Sequence, residues 1–395
     1  MKTVISIVFI INALIFSQGD PLLEKLDGES FAGRFEALRY IRENRLEEYI
    51  PELESRIFNQ ETLLLQEAYL KTLNALNAAN TYDFAIQYYN SIDLFNPEPY
   101  IEINSILELK ARAQEIFFEY GDYSKTEDIF IYLNDPNEIK SFGLIIHDLK
   151  TVYENVPSFQ TQALDWLLII LNESTDIYLR KTALKILNQI NYTEITNICV
   201  NIINNEAEDG NLKYFASRIL FDKDYTGLPN ILREKINSDP SDVLRWRFAS
   251  GLLEYYAVPS DLKLVIDHIP NEPDEDVRGM FEIIVHRFIP PKPEILDYYG
   301  LCTRLVTYTD EMFQYGWIQN EETRDYYAQR LTEVYESIEN TSEIGEACSI
   351  IDERILPQVE QDLGEQLVTN EAYKFLHYYT IYIKEEIEEE FGPCP

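Results

Sequence analysis

The chain has 395 residues, 46% of them hydrophobic, which is enough apolar material for a substantial core and excludes a disordered polymer. Only 14 Gly and 17 Pro punctuate it, too few for the many tight turns of a sandwich or barrel, so an all-α chain is expected. A net charge of −36 works against binding to phosphate backbones or anionic membrane surfaces, and no nucleic acid is expected among its partners.

Residues 1–19 read as a signal peptide. Lys2 supplies the positive start, an apolar run from Val4 to Phe16 is broken only by Ser6 and Asn12, and Ser17 and Gly19 place small residues before the cleavage point. The run is too short to span a bilayer, and no later stretch is apolar enough to do so. A secreted or periplasmic protein is therefore expected, with no membrane insertion after signal removal, and so brief a leader fits a bacterial source. Export permits disulfides, but Cys199, Cys302, Cys348 and Cys394 are too few to staple a chain of this length.

From residue 20 to 160 the apolar spacing predicts helices around Arg34, Ala37 and Ile41, then over Leu46 to Ile57, Leu63 to Leu76 and Tyr82 to Ile92. Ile101 to Tyr120, Thr126 to Leu133 and Ile139 to Tyr153 continue the series. Together they read as degenerate helical repeats ahead of a more regular array.

That array runs from 161 to 289. Four segments share a template: Leu179-Arg180, Leu212-Lys213, Leu244-Arg245 and Val277-Arg278 begin helices whose starts lie 33, 32 and 33 residues apart. Each pairs an apolar residue with a base, places Ala183, Ala216, Phe248 or Phe281 four residues on, and reaches Leu187, Leu220, Leu252 or Val285 at eight, which is one helical face. Asp176, Asp209, Ser241 and Asp274 stand three residues before the starts, as N-caps. A second helix per repeat is marked by Leu164 to Leu171, Ile195 to Ile203, Leu228 to Ile236 and Leu262 to Ile269. Paired helices at this period predict an α-solenoid of antiparallel helix pairs.

These residues resemble HEAT repeats, helical hairpins whose first helix commonly carries an Asp, then Val-Arg, then Ala and Leu. Asp274, Val277 and Arg278 match best, Asp176 with Leu179 and Arg180 nearly as well, while Ser241 and Lys213 depart from the pattern. The resemblance implies that Arg180, Lys213, Arg245 and Arg278 form a structural polar ladder with neighbouring acids, next to the caps Asp176, Asp209 and Asp274.

Pro290, Pro291 and Pro293 end the array, since prolines at this density cannot continue a helix. Residues 294–392 read as a small helical bundle, with helices near Glu294 to Tyr315, Glu321 to Asn340, Ile344 to Asp362 and Asn370 to Glu390. Gly316-Trp317-Ile318-Gln319-Asn320, Leu331, Ala347 and Leu367-Val368-Thr369 with Ala372 and Leu376 resemble the landmarks of FIMAH-type helical modules of secreted bacterial proteins. Val368 and the Glu343-Ile344-Gly345-Glu346 turn depart from that pattern, and what the resemblance implies is a non-catalytic module. Cys302 and Cys348 lie on helices expected to pack and either form a disulfide or are two small buried side chains, with Cys394 mobile at the chain end and open to pairing with another chain.

The chemistry-bearing motifs are missing. His147, His268, His286 and His377 are followed by Asp, Ile, Arg and Tyr, so no HExxH and no His-Glu pair of the kind that HEAT-fold hydroxylases use for iron exists. There is no phosphate loop and no nucleophile elbow, and the acid-rich turns at Glu206 to Asn211 and Asn271 to Asp276 lack the order of a Ca²⁺ loop. No cofactor or metal is expected. The 28 Tyr include pairs such as Tyr88-Tyr89, Tyr255-Tyr256 and Tyr378-Tyr379, of which one member should be core and the other near the surface. The expectation is an exported, non-catalytic scaffold that binds a protein or peptide through the second-helix face of its solenoid. Carbohydrate or cell-surface polymer binding through tyrosines and acids is the alternative, followed by an enzyme whose site spacing does not reveal.

Overall fold

The computed structural model describes residues 20–60, 62–92, 110, 113–133, 142–294, 296–339 and 343–395. The signal peptide read in 1–19 lies outside these residues, as do the first parts of the helices expected from Ile101 and Ile139. Among the described residues the protein is all-helical and no strand forms, the nearest approach being an isolated bridge between Ile318 and Val368. The chain divides between Tyr192 and Thr193 into two compact units.

The first unit contains α1 (Pro21–Asp27), α2 (Phe31–Glu43), α3 (Ile50–Arg56), α4 (Leu63–Ala75) and α5 (Thr81–Ile92). A helical stretch over 113–119 follows, then α6 (Thr126–Leu133), α7 (Phe142–Asn155), α8 (Gln160–Glu173) and α9 (Ile177–Gln189). Helices start where a side chain can accept a first-turn amide: Asp20 takes Leu22 N–H, Ser30 takes Gly33 N–H and Thr62 takes Leu65 N–H. Helix α4 packs on α2, α3 and α5, and Leu38, Ile41, Leu53, Tyr69, Leu73 and Tyr88 close the core between them. Each such side chain taken out of water stabilises the fold by roughly 1.5–3 kcal/mol. Further on, α7 packs against α6, α8 and α9.

The second unit opens with α10 (Ile195–Asn204), α11 (Gly210–Asp222), α12 (Leu228–Ser238), α13 (Asp242–Tyr255), α14 (Pro259–His268) and α15 (Glu275–Arg287). The first helices α11, α13 and α15 touch in succession, the second helices α12 and α14 touch, and each second helix packs on the first helix that follows it. The caps fall where the template placed them: Asp209 accepts from Asn211 and Leu212, Ser241 from Leu244 and Asp274 from Val277, just as Asp176 accepts from Tyr178 in the first unit. The template's apolar positions are buried as well, Ala183, Ala216 and Phe281 completely, with only Val285 left half-buried.

A further signature recurs at helix C-termini in both units. Arg45, Asn77, Asn191 and Asp224 adopt left-handed backbone, with φ between 50° and 54°. Each is followed by an amide that reaches back five residues: Leu46 to Ile41, Ala78 to Leu73, Tyr192 to Leu187 and Tyr225 to Leu220. Gly121 does the same with Asp122 and Phe117. These bonds satisfy carbonyls that the helix end would orphan and set the sharp turn into the next helix.

The unit ends in α16 (Tyr298–Gln314), α17 (Glu321–Glu339), α18 (Ile344–Ser349), a π-helical turn over Ile350–Ile355, α19 (Leu356–Gly364) and α20 (Asn370–Phe391). Pro357 has no N–H to donate, and the helix widens just ahead of it. Helix α16 packs on α17 and α20, and α20 on α19. The two stretches that carry the FIMAH-like landmarks lie side by side, with Gln319 N–H on Leu367 O at 2.9 Å and Thr369 N–H on Trp317 O at 2.8 Å. Lys374 on α20 is buried by the last repeat and gives its ammonium to the Val285 and His286 carbonyls at 2.9 and 2.7 Å, capping the end of α15 with positive charge.

The candidate Cys302–Cys348 bridge does not form, and Cys302 is instead a buried small side chain. Cys348 is bonded to Cys394, at a Cα separation of 5.9 Å, and Cys302 is a buried free thiol, as is Cys199. The reason is the chain end: Gly392 takes φ 93° and ends α20, and the Cys394 amide bonds the Glu388 carboxylate. The last residues are thereby brought to α18, where Pro395 lies against Gly345. Burial pushes the Cys302 thiol up to about 12, so it is unreactive. Alkylation of the denatured, unreduced protein should label Cys199 and Cys302 only. Cys394→Ala should lower the unfolding free energy by up to about 4 kcal/mol, because the bond closes a loop of sequence separation 46. A Cys302–Cys348 peptide in the digest would refute the pairing.

Candidate functional site

Of the bases singled out in the sequence, Lys213 and Arg245 meet acids, though not the capping acids beside them, and Arg278 and Arg180 donate to backbone carbonyls. Lys213 on α11 reaches forward to Asp239, in the turn between α12 and α13, at 3.0 Å with both side chains buried. Arg245 on α13 forms two bonds to Glu272, in the turn between α14 and α15, at 3.0 and 2.7 Å, and also donates to the Asp239 carbonyl at 2.7 Å. Arg278 on α15 donates to the Glu272 carbonyl at 3.2 Å. In the first unit Arg180 donates to the Leu171 carbonyl at 2.6 Å. Asp176, Asp209 and Asp274 serve as caps.

Asp239 and Glu272 escaped sequence reading because they stand among 69 acids. Their signal is positional: each lies two residues before an N-cap and directly before a proline, in Asp239-Pro240-Ser241 and Glu272-Pro273-Asp274. The proline disfavours helical backbone at the acid and holds it in the turn. Glu272 also meets His268 Nε2 at 3.1 Å, and His268 Nδ1 lies 3.0 Å from Asn237 Oδ1. Burial alone would raise the Glu272 carboxyl, but the Arg245 and His268 hydrogen bonds and the Asp274 amide outweigh it and hold it at about 2.

The surface feature of the second unit is a recess of about 250 Å³ between the first helices α11 and α13, floored by Leu228 and Leu232 of α12. Tyr214, Phe221, Trp246 and Tyr255 wall it, and Arg218 and Arg247 stand over them. The Arg247 guanidinium lies 4.9 Å above the Tyr214 ring, and that of Arg218 lies 5.8 Å from Phe221 and 5.6 Å from Tyr255. Arg218 also donates to the Tyr255 hydroxyl at 2.9 Å. Glu254 beside that hydroxyl raises its pKa, burial adds to the rise, and Arg218 opposes it. The Trp246 indole N–H is buried and meets no acceptor among the described residues.

Phe221, Glu254, Tyr255 and Tyr256 also line a second recess of about 660 Å³, which runs on to Pro291, Pro293, Arg304 and Tyr308. The two recesses share these four residues, and the second is walled by the turns after α11 and α13 and by the proline segment. Within the tyrosine pairs, Tyr379 is core and Tyr378 half-buried as expected. Tyr88 and Tyr89 are both buried instead, bonded to the Leu63 carbonyl and to Asp128, and Tyr255 and Tyr256 are both half-buried because the groove wall needs both. Among the described residues no group of three or more His, Cys, Asp and Glu is placed to hold a metal ion, and no helix is long and apolar enough to cross a membrane.

Compared with known proteins, the chain matches no family model, no curated protein and no solved structure.

The acid of the ladder sets a pH dependence. The folded pKa of Glu272 is depressed below its ordinary value of 4.5, so its contribution is present above pH 4.5 and is lost as pH falls toward about 2. Glu272→Gln should destabilise the protein by roughly 3 kcal/mol at pH 7 in urea melts, and the gap from wild type should narrow as pH drops through that window. A gap that stays constant from pH 7 to 2.5 would show that the carboxylate is not held by Arg245 and His268.

Proposed function

We propose that this is an exported, non-catalytic binding protein, built on a HEAT-like α-solenoid with a FIMAH-like helical module behind it, which takes a protein or peptide segment in the first-helix groove. The succession of first helices on first helices and second on second, with caps and αL turns at repeat positions, supports the solenoid reading. The acids and bases of the repeat turns are occupied with one another, which supports a structural rather than a chemical role for them. The leader-like residues 1–19 support export.

The observation that carries the binding reading is the aromatic groove itself. Tyr214, Trp246 and Tyr255 offer rigid, amphipathic contact area at small entropic cost. The unmet Trp246 N–H asks for an acceptor, which a peptide carbonyl supplies. The groove continues past Tyr256 to the proline segment, a shape suited to an extended chain. Carbohydrate binding is the second reading, favoured by Glu254 standing between the aromatic side chains of the two recesses.

Ser250 lines the groove and is half-buried, so a Ser250→Cys variant carrying an environment-sensitive dye reports occupancy. Its emission should shift with members of a random octapeptide library, and Trp246→Ala should weaken the response about tenfold or more. A shift with oligosaccharides and none with peptides would replace this reading by the second one.

A further inference from the structure

Resting on the peptide-groove reading, we infer that the groove selects a segment carrying a carboxylate, from an Asp or Glu side chain or a free C-terminus, beside an aromatic or aliphatic residue. Of the ten arginines of the second unit, Arg233, Arg245, Arg324, Arg330 and Arg354 sit on acids, and the other five have no carboxylate at ion-pair distance among the described residues. Lys213, Arg233, Arg245, Arg324, Arg330 and Lys384 each sit on an acid. Arg218, Arg247 and Arg304, all lining the groove, have no carboxylate at ion-pair distance among the described residues.

Their surroundings prepare them for one. The Arg247 and Arg218 guanidiniums lie over rings at the recess, and a guanidinium can meet a carboxylate with two parallel bonds. Arg218 spends a bond only on the Tyr255 hydroxyl and Arg247 only on Asn211 Oδ1 at 3.3 Å, so donors remain on both. Between them the Tyr214, Phe221 and Trp246 wall takes an apolar neighbour. The overall charge of −36 limits the ligand further, since the field repels polyacidic chains that come within about 8 Å of the surface, the screening length at physiological salt. One or two carboxylates in an otherwise neutral or basic segment satisfy both the local and the distant charge.

The test titrates dye-labelled, N-acetylated octapeptides against the full chain in two matched sets, one with Asp, Glu and a free C-terminus and one with Asn, Gln and a terminal amide. Anisotropy should show the carboxylate set binding about tenfold or more tightly, with side-chain and terminal replacements made separately to tell the two sources apart. Arg218→Gln with Arg247→Gln should abolish that preference while leaving the helical circular dichroism unchanged, and Arg218→Lys with Arg247→Lys should keep part of it. Equal binding of the two sets, or tighter binding of Lys-rich peptides, would overturn the carboxylate selection and leave the groove a peptide site. Failure of both sets would overturn the peptide reading itself. An oligogalacturonide that binds in an arginine-dependent way where no peptide does would assign the groove to acidic sugars.

Discussion

The fold of the second unit depends on bases that reach out of one repeat to an acid in the turn before the next. Lys213 to Asp239 and Arg245 to Glu272 span two helix pairs each, and the Asp239 carbonyl links the first contact to the second by accepting from Arg245. Buried charges are costly to dehydrate, so such pairs add little net stability over apolar residues of similar size. Their loss on one side leaves a charge stranded, which costs about 3–5 kcal/mol. What they enforce is register. A hairpin shifted along its neighbour by one turn would leave Lys213 or Arg245 in the core without its acid, whereas Leu and Ile alone would tolerate the shift.

The prolines make this arrangement possible. Asp239 and Glu272 each precede a proline, and each also turns its carboxylate back on the loop, to the Ser241 amide at 2.9 Å and the Asp274 amide at 3.3 Å. One residue thus orders the turn, places the following N-cap and meets the base of the previous first helix. The capping serine or aspartate and the ladder acid are separate residues two positions apart. That explains why the capping acids Asp209 and Asp274 could be read from the sequence while their bases belonged to other partners.

What was legible in the chain was whatever repeats locally. Helix starts were marked by Asp or Ser at fixed distance from an apolar pair, and the bundle helices at 298–314, 321–339 and 370–391 fell within a few residues of the spacing that predicted them. Contacts that join distant segments were not legible. Nothing in Gly392-Pro393-Cys394 states that the chain end returns to Cys348, since the turn is a backbone property of Gly392 and its destination is set by how α20 packs on α16 and α19. The αL turns were half visible: Asn77, Asn191 and Asp224 are residues that tolerate positive φ, but Arg45 and Gln366 are not, and their conformation is imposed by the helix end they close. The groove was invisible for the same reason as the disulfide, because it is made where two helices meet.

Yet the groove has a logic in the repeat. Tyr214 and Trp246 occupy the same template position, two residues past the apolar start, where the neighbouring repeats carry Lys181 and Gly279. The template positions that recur are buried, whereas Tyr214 and Trp246 are half-buried and line the recess. Two successive aromatic residues there line the recess between α11 and α13, and the guanidiniums of Arg218 and Arg247 lie over rings with no carboxylate at ion-pair distance among the described residues. The residues that depart from the template while their neighbours obey it are thus the ones that face outward together.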